Sequence, residues 1–448
     1  MKIEIPHNAD KIIEKIQNSG FEAYAVGGCI RDSIMGLVPH DWDICTSALP
    51  EETLDILGKT NIVTNGLKHG TVTVKFNNEL YEITTFRIDG VYSDNRRPES
   101  VTFVRSLRED LARRDFTINA LAYNYDKGLC DFFGGEEDIK NKIIRCVGNP
   151  VKRFREDGLR ILRALRFSSR LGFKIEEKTS AAIHENAFLL KNISSERTVS
   201  ELLGIIDGEY AEKVLTEYVD VLCVFIPEIE KMIGFEQHNP HHIYDIWTHT
   251  VKVISHSPHS KISRLAALFH DIAKPECYSP DETGTGHFHG HPEKGAVKAH
   301  DIMKRLRLDN KTIDKVCMLI KYHDVRPKIN PRNVRILISK VGVENFHELM
   351  QLKEADAMGQ NPELLNGKLE DIKKLTEIFE EQTADGQEFN LKTLAIKGND
   401  LIAMGITEGK TIGKILKYLL EGVIDGKFKN EYGELKSEAE LYIAEEKN

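Results

Sequence analysis

The pattern of hydrophobic and polar residues along the first 145 positions predicts short strands mixed with helices. The stretches FEAYAVGG, GTVTVKF, LYEITTFRI and SVTFV are rich in β-branched or aromatic residues and are bounded by Gly, Asn or Pro. Helical periodicity lies between and around them, as in ADKIIEKIQNSG, where Gly20 is a typical helix end. This pattern predicts an α+β head with a small mixed β-sheet.

From about residue 150 onward the strand pattern fades and amphipathic helices dominate. Apolar residues recur at helical spacing in LRILRALRFSSRLGF and SRLAALFHDIAK. Pro together with Gly or Asn marks candidate joints in CVGNPVKRF, GFEQHNPHH and VRPKINPRN. The divisions that we expect are an α+β head (1–145), an all-helical neck (146–210), a helical body (211–330) and a helical tail (331–448).

Composition narrows the class of protein. With 41% hydrophobic and 29% charged residues over 448 positions, the chain is typical of a folded globular protein. No apolar run approaches the roughly 18 residues of a bilayer-spanning helix, so we expect no membrane association. Seven cysteines without a Cys-x-x-Cys pair favour a reducing cytoplasm. A net charge of −9 excludes a uniformly basic nucleic-acid binder but not a local basic stripe.

The segment AYAVGGCIRDSIMG is a candidate phosphate-binding turn. Gly27 and Gly28 allow backbone N–H groups to approach a phosphate closely, and the helix that follows adds a favourable dipole. Arg31, one turn into that helix, can add a bidentate clamp. Because a Gly-Gly pair alone is a weak signal, a tight strand-to-helix turn without function is the alternative.

The segment PHDWDIC follows this turn and carries two aspartates. If it is extended, Asp41 and Asp43 project from one face and Trp42 from the other. Such a pair suits Mg²⁺, which takes carboxylate oxygens alongside substrate phosphates. Glu82, on a predicted strand, is a candidate third carboxylate. An isolated Asp-x-Asp is more often part of a solvated loop, so the neighbouring turn is what favours a functional interpretation.

The predicted neck carries a local basic row. Its arginines recur every three or four residues, so on one helix they share a face: Arg160, Arg163, Arg166 and Arg170. Nucleotide or RNA phosphates can bind such a row, and a solvated charged face is the alternative. Asp157 and Arg160, three residues apart, would share a helix face, and a structural salt bridge is the usual explanation of such a pair.

The stretch GGCIRDSIMGLVPHDWDICTSALP resembles the class II tRNA nucleotidyltransferases, the CCA-adding enzymes and bacterial poly(A) polymerases. The resemblance continues through RRDFTINALAYN, DFFGGEEDIKNKIIRCVGNP, REDGLRILRALRFSSRLGF and SSERTVSEL, in the family's order. It implies a polymerase β-like head and an enzyme that adds nucleotides from CTP and ATP to the 3′ end of tRNA. The implied reaction uses no nucleic-acid template, requires Mg²⁺ and releases pyrophosphate.

The resemblance also implies roles for individual residues. The ligands of the catalytic metal ions are Asp41 and Asp43, with Glu82 as the candidate third carboxylate. The residues that contact the nucleotide are Gly27, Gly28, Arg31, Arg114, Asp115, Asn119, Asp157, Arg160, Arg163 and Arg166. Within this set, Asp157 and Arg160 match the pair that reads the incoming base in place of a template.

The segment GVYSDNRRPESVTFVRSLREDLARRDF includes the loop that full CCA-adding and A-adding members of the family retain and that CC-adding members shorten. Its presence disfavours addition of CC alone. Addition of A alone and poly(A) synthesis remain alternatives to full CCA addition.

Eleven of the 17 histidines fall between residues 238 and 300. The segments HT, LFHDIAKP, GHFHGHPEKGA and IKYHD resemble the HD phosphohydrolase domain, over about 240–330. The ligands of a divalent metal that this implies are His249, His270, Asp271 and Asp324, with His291 and the further candidate His323 at a second metal position. Imidazole suits transition metals such as Ni, Mn or Fe. Phosphatase or cyclic phosphodiesterase activity is implied, and an inactive scaffold for RNA is the alternative.

The tail segment LAIKGNDLIAMGITEGKTIGKILKYLLEGVIDGKFKN resembles the C-terminal part of bacterial family members with this HD insertion, which implies that the tail binds tRNA. A rival hypothesis of a different class makes the HD site the only working centre, with the head as an inactive RNA-binding module. The intact pair Asp41 and Asp43 argues against that rival. The oligomeric state is not predicted by the sequence.

Overall fold

The structure, a computed structural model, describes residues 2–58, 62–63, 70–90 and 100–445. The chain divides into two compact units, Met1–Pro227 and Glu228–Asn448. The expected α+β fold, with strands concentrated in the N-terminal head and helices after it, is confirmed. The division into head, neck, body and tail at the expected positions stays a prediction.

The first unit is built around a seven-stranded mixed sheet and a separate hairpin. Its strands are β1 Ala23–Val26, β2 Ile44–Thr46, β3 Ile62–Val63, β4 Thr71–Phe76, β5 Glu79–Thr85, β6 Arg87–Asp89, β7 Val101–Phe103, β8 Leu121–Asn124 and β9 Gly128–Asp131. The sheet order is β3-β4-β5-β2-β1-β8-β9, and β6 pairs with β7. Only the β2–β5 pairing in this sheet, as described, is parallel. The central strands β1 and β8 are buried along their whole length, which explains their continuous apolar runs.

Short helices flank this sheet, and longer ones follow it. They are α1 His7–Asn18, α2 Gly28–Ile34, α3 Pro50–Leu57, α4 Leu107–Ala112, α5 Gly135–Lys140, α6 Pro150–Glu156, α7 Leu159–Leu171, α8 Glu177–Asn186, α9 Ser195–Ile206, α10 Ala211–Glu217 and α11 Val219–Cys223. Two short strands, β10 Ile143–Ile144 and β11 Lys174–Ile175, pair in parallel. Helix α7 packs against α9 and α10, so the arginine row lies on a helix that is anchored within this unit.

One detail of the predicted neck is wrong. Asp157 does not lie on the helix that carries Arg160, because its backbone is extended, with φ −141° and ψ 106°, and it ends α6. Gly158 then begins the turn into α7. The two residues therefore do not share a helix face by periodicity, although they remain neighbours in the chain.

Over residues 228–445, the second unit is helical apart from one small hairpin, β12 Ser279–Pro280 with β13 Gly286–His287. Its helices are α12 Ile246–His256, α13 Lys261–Phe269, α14 Lys274–Cys277, α15 His291–Arg305, α16 Asn310–Tyr322, α17 Pro331–Val341, α18 Val343–Met358, α19 Leu365–Thr383, α20 Gly398–Ala403, α21 Gly409–Asp425 and α22 Tyr432–Glu445. Helix α18 packs against α12, α13 and α16. None of the helices in the described part of the chain has the length and apolar character needed to cross a membrane.

Candidate functional site

The turn from β1 into α2 has the backbone that the two glycines predicted. Gly27 has φ +85°, a conformation that residues with a side chain rarely adopt, and α2 begins at Gly28. A Cβ atom at Gly27 would lie 2.9 Å from Nη1 of Arg114. Glycine at this position therefore permits the backbone conformation of the turn and leaves room for the Arg114 guanidinium.

Asp41 and Asp43 lie just before β2 and beside the end of β1. The carbonyl oxygen of Asp43 accepts the N–H of Val26 at 2.9 Å, which fixes this segment against the turn. Both aspartates are exposed, whereas Trp42 is half-buried. This alternation matches the expected placement of the two carboxylates on one face and of the indole on the other.

The surroundings of Asp43 bring a third carboxylate and a cation to the same place. Loss of water around the Asp43 carboxyl raises its pKa, Arg114 opposes that rise, and the charges of Glu82 and Asp41 add to it. Glu82 lies in the middle of β5 and is exposed. Three carboxylates supply oxygen ligands only, and this donor set fits a hard cation such as Mg²⁺.

A chain of polar contacts links α2 to α7 through Asn119 and Asp115. Nη1 of Arg31 donates to Oδ1 of Asn119 at 2.7 Å, and Nδ2 of Asn119 donates to Oδ1 of Asp115 at 3.2 Å. Oδ2 of Asp115 lies 2.7 Å from Nη2 of Arg163. Burial alone would raise the pKa of Asp115, but Arg163, Arg160 and the hydrogen bond from Asn119 together outweigh this effect and lower it to about 2. The structure thus joins four residues that the sequence assigned to the nucleotide.

The two residues expected to read the base are held by separate partners. Arg160 is 8% exposed, and its Nη1 lies 2.7 Å from Oε2 of Glu156. Oδ2 of Asp157 instead accepts from Nη2 of Arg197 at 2.8 Å. The structure therefore does not show the alternative, a direct salt bridge between Asp157 and Arg160.

Three buried residues that support these arginines were missed by sequence reasoning. Glu201 on α9 lies 2.6 Å from Nε of Arg166, and Phe167 lies beside the same guanidinium. Oδ2 of Asp110, a residue with no exposed surface, lies 3.7 Å from Nη2 of Arg114. The sequence did offer a signal for Glu201, which is an acidic residue on the apolar face of a predicted helix. Because a buried carboxylate nearly always has a cationic partner, this position indicates a buried ion pair.

In the second unit, four histidines converge on one aspartate. Asp271 belongs to two groups of possible metal ligands, one with His249 and His270 and the other with His291 and His323. Within each group, the ligand atoms lie within 4.8 Å of one another. Oδ2 of Asp271 lies 3.4 Å from His249 and 3.1 Å from His270, while Oδ1 lies 3.4 Å from His291. The two oxygens of one buried carboxylate therefore face two separate pairs of imidazoles.

Hydrogen bonds to backbone carbonyls orient all four imidazoles in the same way. The Nδ1 atoms of His249, His270, His291 and His323 lie 3.0, 2.8, 2.8 and 2.6 Å from backbone carbonyl oxygens. The Nε2 atom of each ring therefore lies on the side of Asp271, where it could ligate a metal ion. This arrangement is typical of histidine metal ligands, so the residues fit a pair of divalent cations.

The carboxylate that completes this cluster is Asp356, and the expectation for Asp324 is corrected. Oδ1 of Asp356 lies 3.0 Å from Nε2 of His249 and 3.8 Å from Nε2 of His270. Asp324 is exposed and pairs with Arg326 at 3.2 Å. The physical reason is that Asp324 lies beyond the end of α16, whereas α18 packs directly onto α12 and α13.

Comparisons with known proteins agree with this layout. The chain matches the family models for a poly(A) polymerase head domain at 23–145, a probable RNA-binding site of polymerase A at 172–232 and a tRNA nucleotidyltransferase domain 2 at 293–439. A CCA-adding enzyme of Levilactobacillus brevis is 35% identical over 428 residues, which cover 94% of each chain. This chain belongs to the CCA-adding enzyme family.

A further curated relative matches over part of its length, and a solved structure matches over all of its length. The CCA-adding enzyme of Lactobacillus helveticus is 49% identical over 209 residues, so the chain spans about half of that relative, 52%. A solved CCA-adding enzyme of Bacillus stearothermophilus, in complex with CTP, superposes with a TM-score of 0.75 at 29% identity and covers 99% of this chain and 100% of its own.

Replacing Gly27 by alanine is expected to lower nucleotide incorporation at least tenfold, because the new Cβ displaces the Arg114 guanidinium. Gly36→Ala is the matched control, since Gly36 also has a positive φ, +74°, but a Cβ there would meet nothing within 4 Å. Both variants place a Cβ atom at a positive φ, a conformation that costs a residue with a side chain about 1 kcal/mol or more. Incorporation of labelled CMP into a tRNA transcript measures the difference, and equal losses in the two variants would contradict this role of Gly27.

Proposed function

We propose that this protein adds the nucleotides of CTP and ATP to the 3′ end of tRNA, completing the CCA sequence without a template. The observation that carries the proposal is the convergence of Asp41 and Asp43 with the Gly27 turn and Arg114 where the central strands β1 and β2 meet. Family membership supports the same reaction, and so does the match to the poly(A) polymerase head at 23–145. Full CCA addition is preferred over A-only addition or poly(A) synthesis because the full-length relative is a CCA-adding enzyme.

Binding of the triphosphate is the first task of the head site. The N–H groups at the start of α2 and the guanidiniums of Arg31 and Arg114 supply donors and positive charge for phosphate oxygens. Asn119 holds Arg31, and Asp115 holds both Asn119 and Arg163, so these donors are fixed before the nucleotide arrives. Fixed donors avoid the entropy loss of ordering flexible side chains during binding.

In the transfer step the 3′ oxygen of the tRNA attacks the α-phosphate, and the bond to the β-phosphate breaks to release pyrophosphate. Asp41 and Asp43 would hold Mg²⁺, with Glu82 as a candidate third carboxylate. When bound, Mg²⁺ supplies charge neutralisation and lowers the pKa of the attacking hydroxyl. Arg160 and Asp157, the pair that the resemblance assigns to reading the base, would be held in place for that task by Glu156 and Arg197.

Asp41→Ala and Asp43→Ala are each expected to reduce addition by at least a thousandfold, because each removes a metal-binding carboxylate. The assay offers tRNA transcripts that end before the first C, after the first C and after the second C, each with CTP or ATP and Mg²⁺. Glu22→Gln, on the exposed loop before β1, is the matched control and should retain activity.

Three outcomes of this assay separate the alternatives. Failure of the wild-type protein to extend every substrate, or full activity of Asp41→Ala, would contradict the proposal. Extension of only the CC-ended transcript would indicate an A-adding enzyme, and long tracts of A would indicate a poly(A) polymerase.

The second unit supports a second function, binding of divalent metal and hydrolysis of phosphate esters. The observation that favours it is the shared orientation of four imidazoles around Asp271. A cavity of about 420 Å³ opens onto Asp271 and Asp356 and is lined by the cations Lys274 and Arg326. Positive side chains beside a metal-binding cluster suit a phosphate ester, and the imidazole-rich donor set favours Ni, Mn or Fe over Mg.

Asp356→Asn is expected to abolish metal-dependent stabilisation, whereas Asp324→Asn should retain it. The protein is first treated with a chelator and then titrated with Mn²⁺ or Ni²⁺ while its thermal unfolding is followed. Metal at a hundred times its Kd stabilises the native state by about 2.7 kcal/mol, which appears as a rise in Tm. If Asp324→Asn loses the rise and Asp356→Asn keeps it, the assignment of Asp356 is wrong.

Hydrolysis of a nucleoside 2′,3′-cyclic phosphate and of a phosphomonoester tests the second activity itself. His270→Ala should remove it, while His256→Ala, an exposed histidine of the same unit outside the cluster, should not. Asp41→Ala should leave hydrolysis unchanged, because the two centres use different residues. Hydrolysis that persists in His270→Ala would contradict a role for this cluster.

A further inference from the structure

One aromatic ring in the first unit lies beside three arginines. The guanidinium carbons of Arg166, Arg31 and Arg163 lie 4.6, 5.1 and 5.5 Å from the centre of the Phe167 ring. Phe116 meets the same ring edge-to-face, with centroids 5.9 Å apart and an angle of 83°. The ring is therefore fixed by a neighbour in the core while it contacts three cations from two different helices, α2 and α7.

Each of the three guanidiniums also has a carboxylate partner. The partners and closest distances are Asp32 for Arg31 at 2.7 Å, Asp115 for Arg163 at 2.7 Å and Glu201 for Arg166 at 2.6 Å. A carboxylate occupies only part of the five-donor edge of a guanidinium, which leaves other N–H groups available. The three pairs thus neutralise the cluster in the absence of a ligand and still leave donors for one.

The Phe167 ring offsets the electrostatic repulsion among the three guanidinium groups. Three like charges gathered where side chains are only 11, 34 and 19% exposed repel one another more than in water. An aromatic face carries partial negative charge and attracts guanidinium groups, and it does so without competing for their N–H donors. An aliphatic side chain of the same size would fill the space and provide no such attraction.

We propose that Phe167 is a positioning residue that assembles Arg31, Arg163 and Arg166 into one surface for the polyphosphate of the incoming nucleotide. The ring acts through the arginines and does not touch the nucleotide. This inference rests on the proposed nucleotidyl transfer for its biological meaning. Its physical content, binding of an anionic polyphosphate, is independent of tRNA and can be measured separately.

Phe167→Leu is expected to weaken equilibrium binding of CTP, ATP and inorganic pyrophosphate by the same factor, about tenfold, because all three share the phosphate groups. Phe167→Tyr keeps the ring and should bind within about twofold of wild type. Phe173→Leu is the matched control: Phe173 is 3% exposed in the same unit, and no described arginine lies over its ring. It should lose stability but bind normally.

A double-mutant cycle with Arg166→Gln tests whether the ring acts through the arginines. In that background Phe167→Leu should have a smaller effect on pyrophosphate binding than in the wild type, since one of its three cations is gone. If Phe167→Leu does not fold, Phe167→Met fills the same space without an aromatic face and replaces it in every comparison.

Several results would overturn the proposal. They are unchanged binding in the folded Phe167→Leu or Phe167→Met protein, an equal loss in Phe173→Leu, strict additivity with Arg166→Gln, or different losses for CTP and ATP, which would indicate base reading. Failure of the proposed function is separate: a wild-type protein that binds pyrophosphate normally but extends no tRNA would contradict nucleotidyl transfer and leave the role of the ring supported.

Discussion

The buried carboxylate of Asp115 is the interaction on which the head site depends. It joins Arg163 of α7 to Asn119, and through Asn119 to Arg31 of α2, so one residue sets the relative position of two helices. Its backbone carbonyl also accepts the N–H of Val147, which ties the start of the neck to the same point. A carboxylate this deeply buried is stable only because its arginine is present, and each partner therefore requires the other.

Local motifs made much of this site predictable. The Gly27 turn, the Asp41 and Asp43 pair and the arginines of α7 were found because each depends on neighbours in the chain, and the structure gives them the expected local geometry. The shared helix face of Asp157 and Arg160 was wrong because a change of backbone conformation at one residue cancels helical periodicity. The supports Glu201 and Phe167 were missed because tertiary pairing has no spacing rule in a single sequence.

In the second unit, too, residues that are close in the chain could be predicted from sequence and residues brought together by helix packing could not. The adjacent pair His270 and Asp271 could be recognised from sequence, since both lie together beyond the end of α13. The carboxylate that faces His249 could not, because the motif indicated Asp324, whereas helix packing brings Asp356 to the cluster. Packing places α18 against α12 and α13, and it leaves Asp324 on an exposed segment with Arg326.

The position of Asp356 bears on how this protein can be divided and recombined. The carboxylate facing His249 and His270 comes from the portion of the chain assigned by sequence to the tail, beyond residue 331, while the four histidines precede that residue. Exchange of this C-terminal portion with that of a relative would therefore replace one wall of the histidine cluster as well as the helices that follow it. The body and the tail cannot be inherited as independent modules unless the donor carries an equivalent acidic residue on the helix that packs there.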